Sequence, residues 1–173
     1  MPTIMCTRNL WRAIGGRTAL PGRSGRPTRR TKLGAWSVRE LPTRAGYLVV
    51  GLEENTYLTV LCPLLAQPEF IHTFGASVEA ALGALGLPAG VAQGEAQAIV
   101  KEAAFAKNDN RSLLGSVNDV AFHVSVALED ERRITVATLR RIQLQLNQMP
   151  HVNREPPFPD QAVRFLLGEA HVI

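Results

Sequence analysis

The sequence predicts an α+β fold: a small antiparallel sheet packed against about four or five helices on its C-terminal side. Three observations predict it. Residues 33–62 hold apolar runs rich in Val, Leu, Tyr and Trp, broken by turn residues. From Phe70 onward the apolar residues recur at helical spacing instead. A short run with a β-branched residue, Thr3-Ile4-Met5-Cys6-Thr7, precedes both and supplies one more strand to the sheet. The 173 residues suit a single domain, 1–173, long enough to bury a core.

The elements follow in order. Leu10, Trp11 and Ile14 sit at helical spacing behind Thr7, a natural N-cap, and Gly15-Gly16 stops that helix. Residues 17–32 hold Gly, Pro, Ser, Thr and Arg with Leu20 as the only large apolar side chain, so they form a basic loop that cannot bury a core. Leu33–Leu41, Tyr47–Leu52 and Tyr57–Leu65 read as a meander. Its tight hairpin lies at 53–56, with Asn55 as the expected left-handed residue. Pro63 ends the last pairing. Phe74, Val78, Ala81, Leu82 and Leu85 mark a helix with Thr73 as candidate cap, and Gly86-Leu87-Pro88 leads into a second helix over 88–103. Ala103–Ala106 is a short extended segment. Thr135–Asn147 is amphipathic, and Asp160–Leu167 makes a last short helix with Asp160 as N-cap.

Charge is unevenly spread. Residues 1–44 carry ten Lys/Arg against one acid, a net of +9, and the remainder carries −5, which gives the overall +4. Such an arm suits phosphate backbones, or is a solvated surface loop beside an acidic body. Cys6 and Cys62 stand in apolar runs without a CxxC motif, so buried free thiols in a reducing cytoplasm are expected, and no metal site. No apolar run approaches the ~20 residues that span a bilayer. No cofactor motif is present: the chain lacks GxGxxG, a P-loop, HExxH and GxSxG.

The densest chemistry lies in Ala106–Val126. Ser116-Val117-Asn118-Asp119 fits a capping box, with Ser116 as N-cap and Asp119 three residues on; a start at Ser112 with Gly115 in the first turn is the alternative. Val117, Val120, Ala121, Val124 and Leu128 form one apolar stripe, and Phe122 with Val126 a second, which predicts a helix buried on most sides. Lys107, Asn108, Asn110, Arg111, Ser112 and Asn118 then surround a helix N-terminus, the arrangement that receives an anion. The bland alternative has Arg111 paired with an acid and the Asn side chains spent on turns. Asp119 and His123, four apart, form either an acid/base pair or two ligands of a metal, or His123 is buried and satisfied by a neighbouring acid.

The pattern K-N-D-N-R-S-L-L-G-S-V-N-D-V-A-F, with Cys6-Thr7 after the first strand, Trp36 in the next and a hairpin over Tyr47–Leu61, resembles DUF6933, a family of small uncharacterised bacterial proteins. The resemblance implies a strand-first α+β fold and brings no activity with it. Three functions therefore compete. One is a binding or regulatory module holding a nucleotide, or nucleic-acid phosphate, through Arg111 and the 17–32 loop. Another is an enzyme on a phosphate- or carboxylate-bearing substrate, with Asp119 or His123 as acid/base and Ser112 or Ser116 as nucleophile. The third is an antitoxin-like interaction partner.

Overall fold

The computed structural model describes residues 1–22 and 31–168. Half of the expected 17–32 loop (residues 23–30), together with His171, lies outside the described residues. In chain order the elements are β1 (Thr3–Cys6), α1 (Arg8–Ala13), β2 (Trp36–Thr43), β3 (Gly46–Glu53), β4 (Thr59–Pro63), α2 (Glu69–Ala84), α3 (Ala89–Glu102), β5 (Ala104–Lys107), α4 (Arg111–Ala127), α5 (Val136–Asn147) and α6 (Pro159–Gly168).

The meander forms as the turn residues dictate: β2 pairs antiparallel with β3, and β3 with β4. The sheet as a whole is not antiparallel. Its order is β4-β3-β2-β1-β5, and β1 runs parallel to both of its neighbours. The reason lies in the connections. A hairpin returns the chain antiparallel, but the stretch between β1 and β2 carries α1 and brings the chain back to the same end of the sheet. The extended segment at 104–107 becomes β5, the outer neighbour of β1.

Helices cover both faces, so the sheet is the middle of three layers. Alternation along the strands sorts the side chains. Ile4, Cys6, Trp36, Val38, Val49 and Val60 face one core with Leu10, Phe70, Phe74, Ile99 and Val163, from α1, α2, α3 and α6. Met5, Leu41, Leu48, Val50, Leu52 and Leu61 face the other with Val117, Val124, Ile142 and Leu146, from α4 and α5. Residues 48–52, apolar almost without a break, suit a strand covered on both sides. Gly51 keeps the first core closed: a Cβ there would lie 2.7 Å from the Phe74 ring.

Thr7 caps α1 by accepting from Leu10 N at 3.1 Å, and Gly15 at φ +96° ends it. Thr73, the expected cap of α2, lies inside that helix, because the helix already begins after Pro68. Asp160 falls in the first turn of α6, which starts one residue earlier at Pro159. The second stripe expected on α4 faces outward: Phe122 is 66% and Val126 55% exposed. One core-facing stripe is enough for a helix that covers a single sheet face.

The open edge of β4 is closed by side chains. Asn147 of α5 accepts from Thr59 N at 2.7 Å and donates to Thr59 O at 2.9 Å, so its amide imitates a neighbouring strand. One turn earlier Gln143 accepts from Leu61 N at 2.8 Å. Both amides are buried, and together they satisfy edge groups that otherwise invite another chain. Replacing Asn147 by Ala strands a buried N–H and a buried C=O. Urea unfolding should show a loss of roughly 2–4 kcal/mol, against less than about 0.5 kcal/mol for the exposed neighbour Gln148→Ala.

Candidate functional site

Two cavities flank the base of α4; of the residues expected to form one anion site, Lys107 and Asn108 line one, Ser112 lines the other, and Asn110, Arg111 and Asn118 line neither. The cap decides the division. Asn110 sits in extended backbone, and its side chain accepts from Leu113 N at 3.0 Å. The helix therefore starts at Arg111, and Ser116 and Asp119 are not its capping box. Asn110 is the earliest side chain able to reach a free N–H, so the helix begins there and Ser116 falls in its second turn. The Ser116 hydroxyl instead contacts Ser112 O at 3.2 Å and the Tyr57 hydroxyl at 3.3 Å. Asn118 is spent as well, since its Oδ1 accepts from the Arg39 guanidinium of β2. Arg111 and Ser112 are exposed; Arg111 lines neither cavity.

The first cavity, about 690 Å3, opens at the carboxyl ends of β1 and β5. The chain leaves β1 into α1 on one face of the sheet and leaves β5 into α4 on the other. Connections that diverge from neighbouring parallel strands leave a crevice between them, the usual place for a ligand in such sheets. Cys6 and Thr7 come from the end of β1, Lys107 and Asn108 from the end of β5, Arg8, Trp11 and Arg12 from α1, and Leu114 from α4. Arg17 to Leu20 close one side. That wall is anchored where Trp11 Nε1 donates to Thr18 O at 2.7 Å and Lys107 N donates to Pro21 O at 2.8 Å. Among the described residues four cations thus border the cavity (Arg8, Arg12, Arg17 and Lys107) and no acid lines it. Among the described residues none of the four has an ion pair.

The polar floor of this cavity is structural. Asn108 Nδ2 donates to the buried Ser37 hydroxyl at 2.6 Å, and Asn108 N donates to Cys6 O at 3.3 Å. Its Oδ1 is enclosed without a hydrogen-bond partner. The Cys6 thiol is pushed up to about 12 by burial and then by the Glu40 carboxylate, so it stays protonated and is no nucleophile. Glu40 itself accepts from the Thr7 hydroxyl at 2.6 Å. Cys6 and Cys62 are both free and buried.

The second cavity, about 530 Å3, lies between α4, the β3–β4 loop and the segment after α5. Ser112, Ser116, Asp119 and His123, spaced four, three and four apart, line it as one stripe of α4. Opposite them stand Tyr57, His151 and Arg154. Tyr57, not Asn55, takes the left-handed conformation, at φ +60°. The turn is held from inside: the buried Glu53 carboxylate accepts from Asn55 N, Thr56 N and the Thr56 hydroxyl at 2.7–3.0 Å, and from Gly34 N at 2.6 Å. Those bonds leave the reversal to the next residue, at a cost of about 1–2 kcal/mol for a non-glycine. Arg154 lies 4.1 Å above the Tyr57 ring and donates to Glu54 O and Asn55 O, both at 2.6 Å. The His151 ring meets that of Tyr57 edge-on at 4.8 Å.

Neither Tyr57 nor the 149–154 segment was singled out in the sequence as part of a site. A Tyr directly after a turn reads as the start of a strand, and residues 149–154 are more than eighty positions away in the chain. His123 is exposed and not a buried core histidine. The acid/base candidates Asp119 and His123 share this cavity, whereas Lys107 lines the other. Among the described residues no group of three or more His, Cys, Asp or Glu is placed to hold a metal ion. No described helix is long and apolar enough to cross a membrane.

The family model for a domain of unknown function, DUF6933, matches residues 3–162. The chain belongs to the DUF6933 family. No curated protein and no solved structure matches it. This DUF6933 chain therefore carries its two cavities on a sheet whose chemistry has to be read from its own residues.

The His151 pKa is lowered, first by burial and then by the Arg154 charge. The native protein thus resists protonation that the unfolded chain accepts. Stability is full above the ordinary histidine range and is lost as pH falls through that range toward the lowered value. An NMR titration should place the His151 midpoint below that of a free histidine. Arg154→Gln should move the midpoint upward but not fully back, because the larger cause is burial.

Proposed function

We propose that this DUF6933 chain is a binding module for a small phosphorylated anion, held in the crevice at the carboxyl ends of β1 and β5. The observation that carries the reading is that Arg8, Arg12, Arg17 and Lys107 line one cavity with no acid beside them among the described residues of its lining. Cations without ion partners beside an enclosed apolar wall attract phosphate oxygens, and guanidinium groups hold them two at a time. The anion lies beside the first turns of α4, where Leu114 enters the wall, and not on the Asn110 cap. Arg111 contributes to the surrounding field and not to the cavity. The free buried thiols Cys6 and Cys62 suit a reducing compartment such as a bacterial cytoplasm.

Nucleic acid is the second reading. It draws on the same cations and on the ten Lys/Arg of residues 1–44. Calorimetric titration separates the two. Pyrophosphate should saturate one site, and Arg12→Ala or Lys107→Ala should each weaken it by roughly tenfold, the worth of one charge-assisted contact. A duplex or single-stranded oligonucleotide should bind no tighter than pyrophosphate, with binding falling steeply as salt rises. Unchanged pyrophosphate affinity in both variants, or no saturation at all, defeats the anion reading. Tight oligonucleotide binding that pyrophosphate cannot displace selects the nucleic-acid reading.

A further inference from the structure

The second cavity has the opposite character to the first, and nothing in the anion reading uses it. Arg154, its only formal cation among the described residues, donates to Glu54 O and Asn55 O and lies over the Tyr57 ring. The Tyr57 hydroxyl is turned toward Ser116 Oγ. Asp119, in contrast, is exposed and has no hydrogen bond or ion pair among the described residues. It stands one turn from His123 and one turn from Ser116 on the lining stripe. Beneath these polar groups lie Val120 and Leu146, both buried, so the cavity has an apolar floor under a polar rim.

We infer that the groove between α4 and residues 149–154 is a second ligand site, which takes a small organic amine, its ammonium on Asp119 and its hydrocarbon on Val120 and Leu146. Each feature of the groove selects that class. The charge with capacity to spare is negative. The neighbouring hydroxyls and imidazoles offer lone pairs, which an ammonium with three N–H donors can fill. The apolar floor adds burial of a short alkyl chain, which a bare metal ion cannot use. A carboxylate or phosphate meets the Asp119 charge on the α4 wall and finds the Arg154 guanidinium opposite already donating to Glu54 O and Asn55 O. The lowered His151 pKa keeps that ring uncharged near neutral pH, which agrees with a cationic guest.

The test is an NMR titration of the full chain with n-butylamine and 1,5-diaminopentane, with n-butanol and butyrate as controls. The amines should shift the ring signals of His123 and Tyr57, and butyrate should not. Asp119→Asn should weaken the amines by roughly 10- to 100-fold, the worth of a charge-assisted hydrogen bond. Asp109→Asn, which removes an exposed acid outside the groove, should leave them unchanged. The inference is overturned if the amines leave these signals unmoved or if butyrate shifts them equally. It also fails if Asp109→Asn weakens binding as much as Asp119→Asn, since that is general charge attraction. Because pyrophosphate binding is read at Arg12 and Lys107, either site can fail without the other.

Discussion

The structure depends on four residues, Thr3–Cys6, lying between β2 and β5 and parallel to both. A central parallel strand makes no hairpin with either neighbour, so each must be reached by a connection that crosses a sheet face. The connection to β2 carries α1 over one face, and the chain leaving β5 carries α4 over the other. The three layers, the two cores and the crevice at the strand ends all follow from that placement. The side chains obey it too: Ile4 and Cys6 serve one core, Met5 the other, and none of the three is more than 1% exposed.

A second theme is that polar side chains complete the backbone. Asn147 and Gln143 stand in for a missing strand beside β4. Glu53 collects the donors of the β3–β4 turn and of Gly34, and Glu95 collects Lys32 N at 2.9 Å and Leu33 N at 3.4 Å, tying the entry of β2 to α3. Both carboxyl pKa values are raised, in each case chiefly by burial against the pull of these hydrogen bonds. These groups resemble functional residues in composition, but their hydrogen-bonding capacity is used up within the fold. Among the described residues that line the two cavities, subtracting them leaves charge in reserve on the four cations at the strand ends and on Asp119 in the groove on the α4 side.

The separation of those sets explains why one polar stretch suggested one site. Lys107 and Asn108 end β5 and look toward α1, whereas Ser112, Ser116, Asp119 and His123 run down α4 toward Tyr57 and Arg154. The chain turns between them at Asn110, which is consumed by the turn itself. Adjacent in sequence, the two groups open onto different cavities.

Much of the fold was legible in the residues. Period-two alternation over 36–63 and helical spacing after Phe70 reflect which faces are buried, so the meander, the helices and the Thr7 cap could be read locally. The mixed character of the sheet was not legible, because strand direction depends on where a crossover lands and not on the residues of the strand. The helix start at Asn110 was open to misreading, since Ser116 has an equally good local pattern and only packing chooses between them. The site was legible as composition: an Arg-rich beginning and an Asn/Ser/Asp-rich helix base. Its division into a crevice lined by cations and a groove that holds Asp119 was decided by tertiary structure alone. Residues 8–17 and 107 meet only because β1 and β5 are neighbours, and 112–123 meet 149–154 only because α5 returns along α4. A sequence records the charges; the fold determines which of them share a cavity.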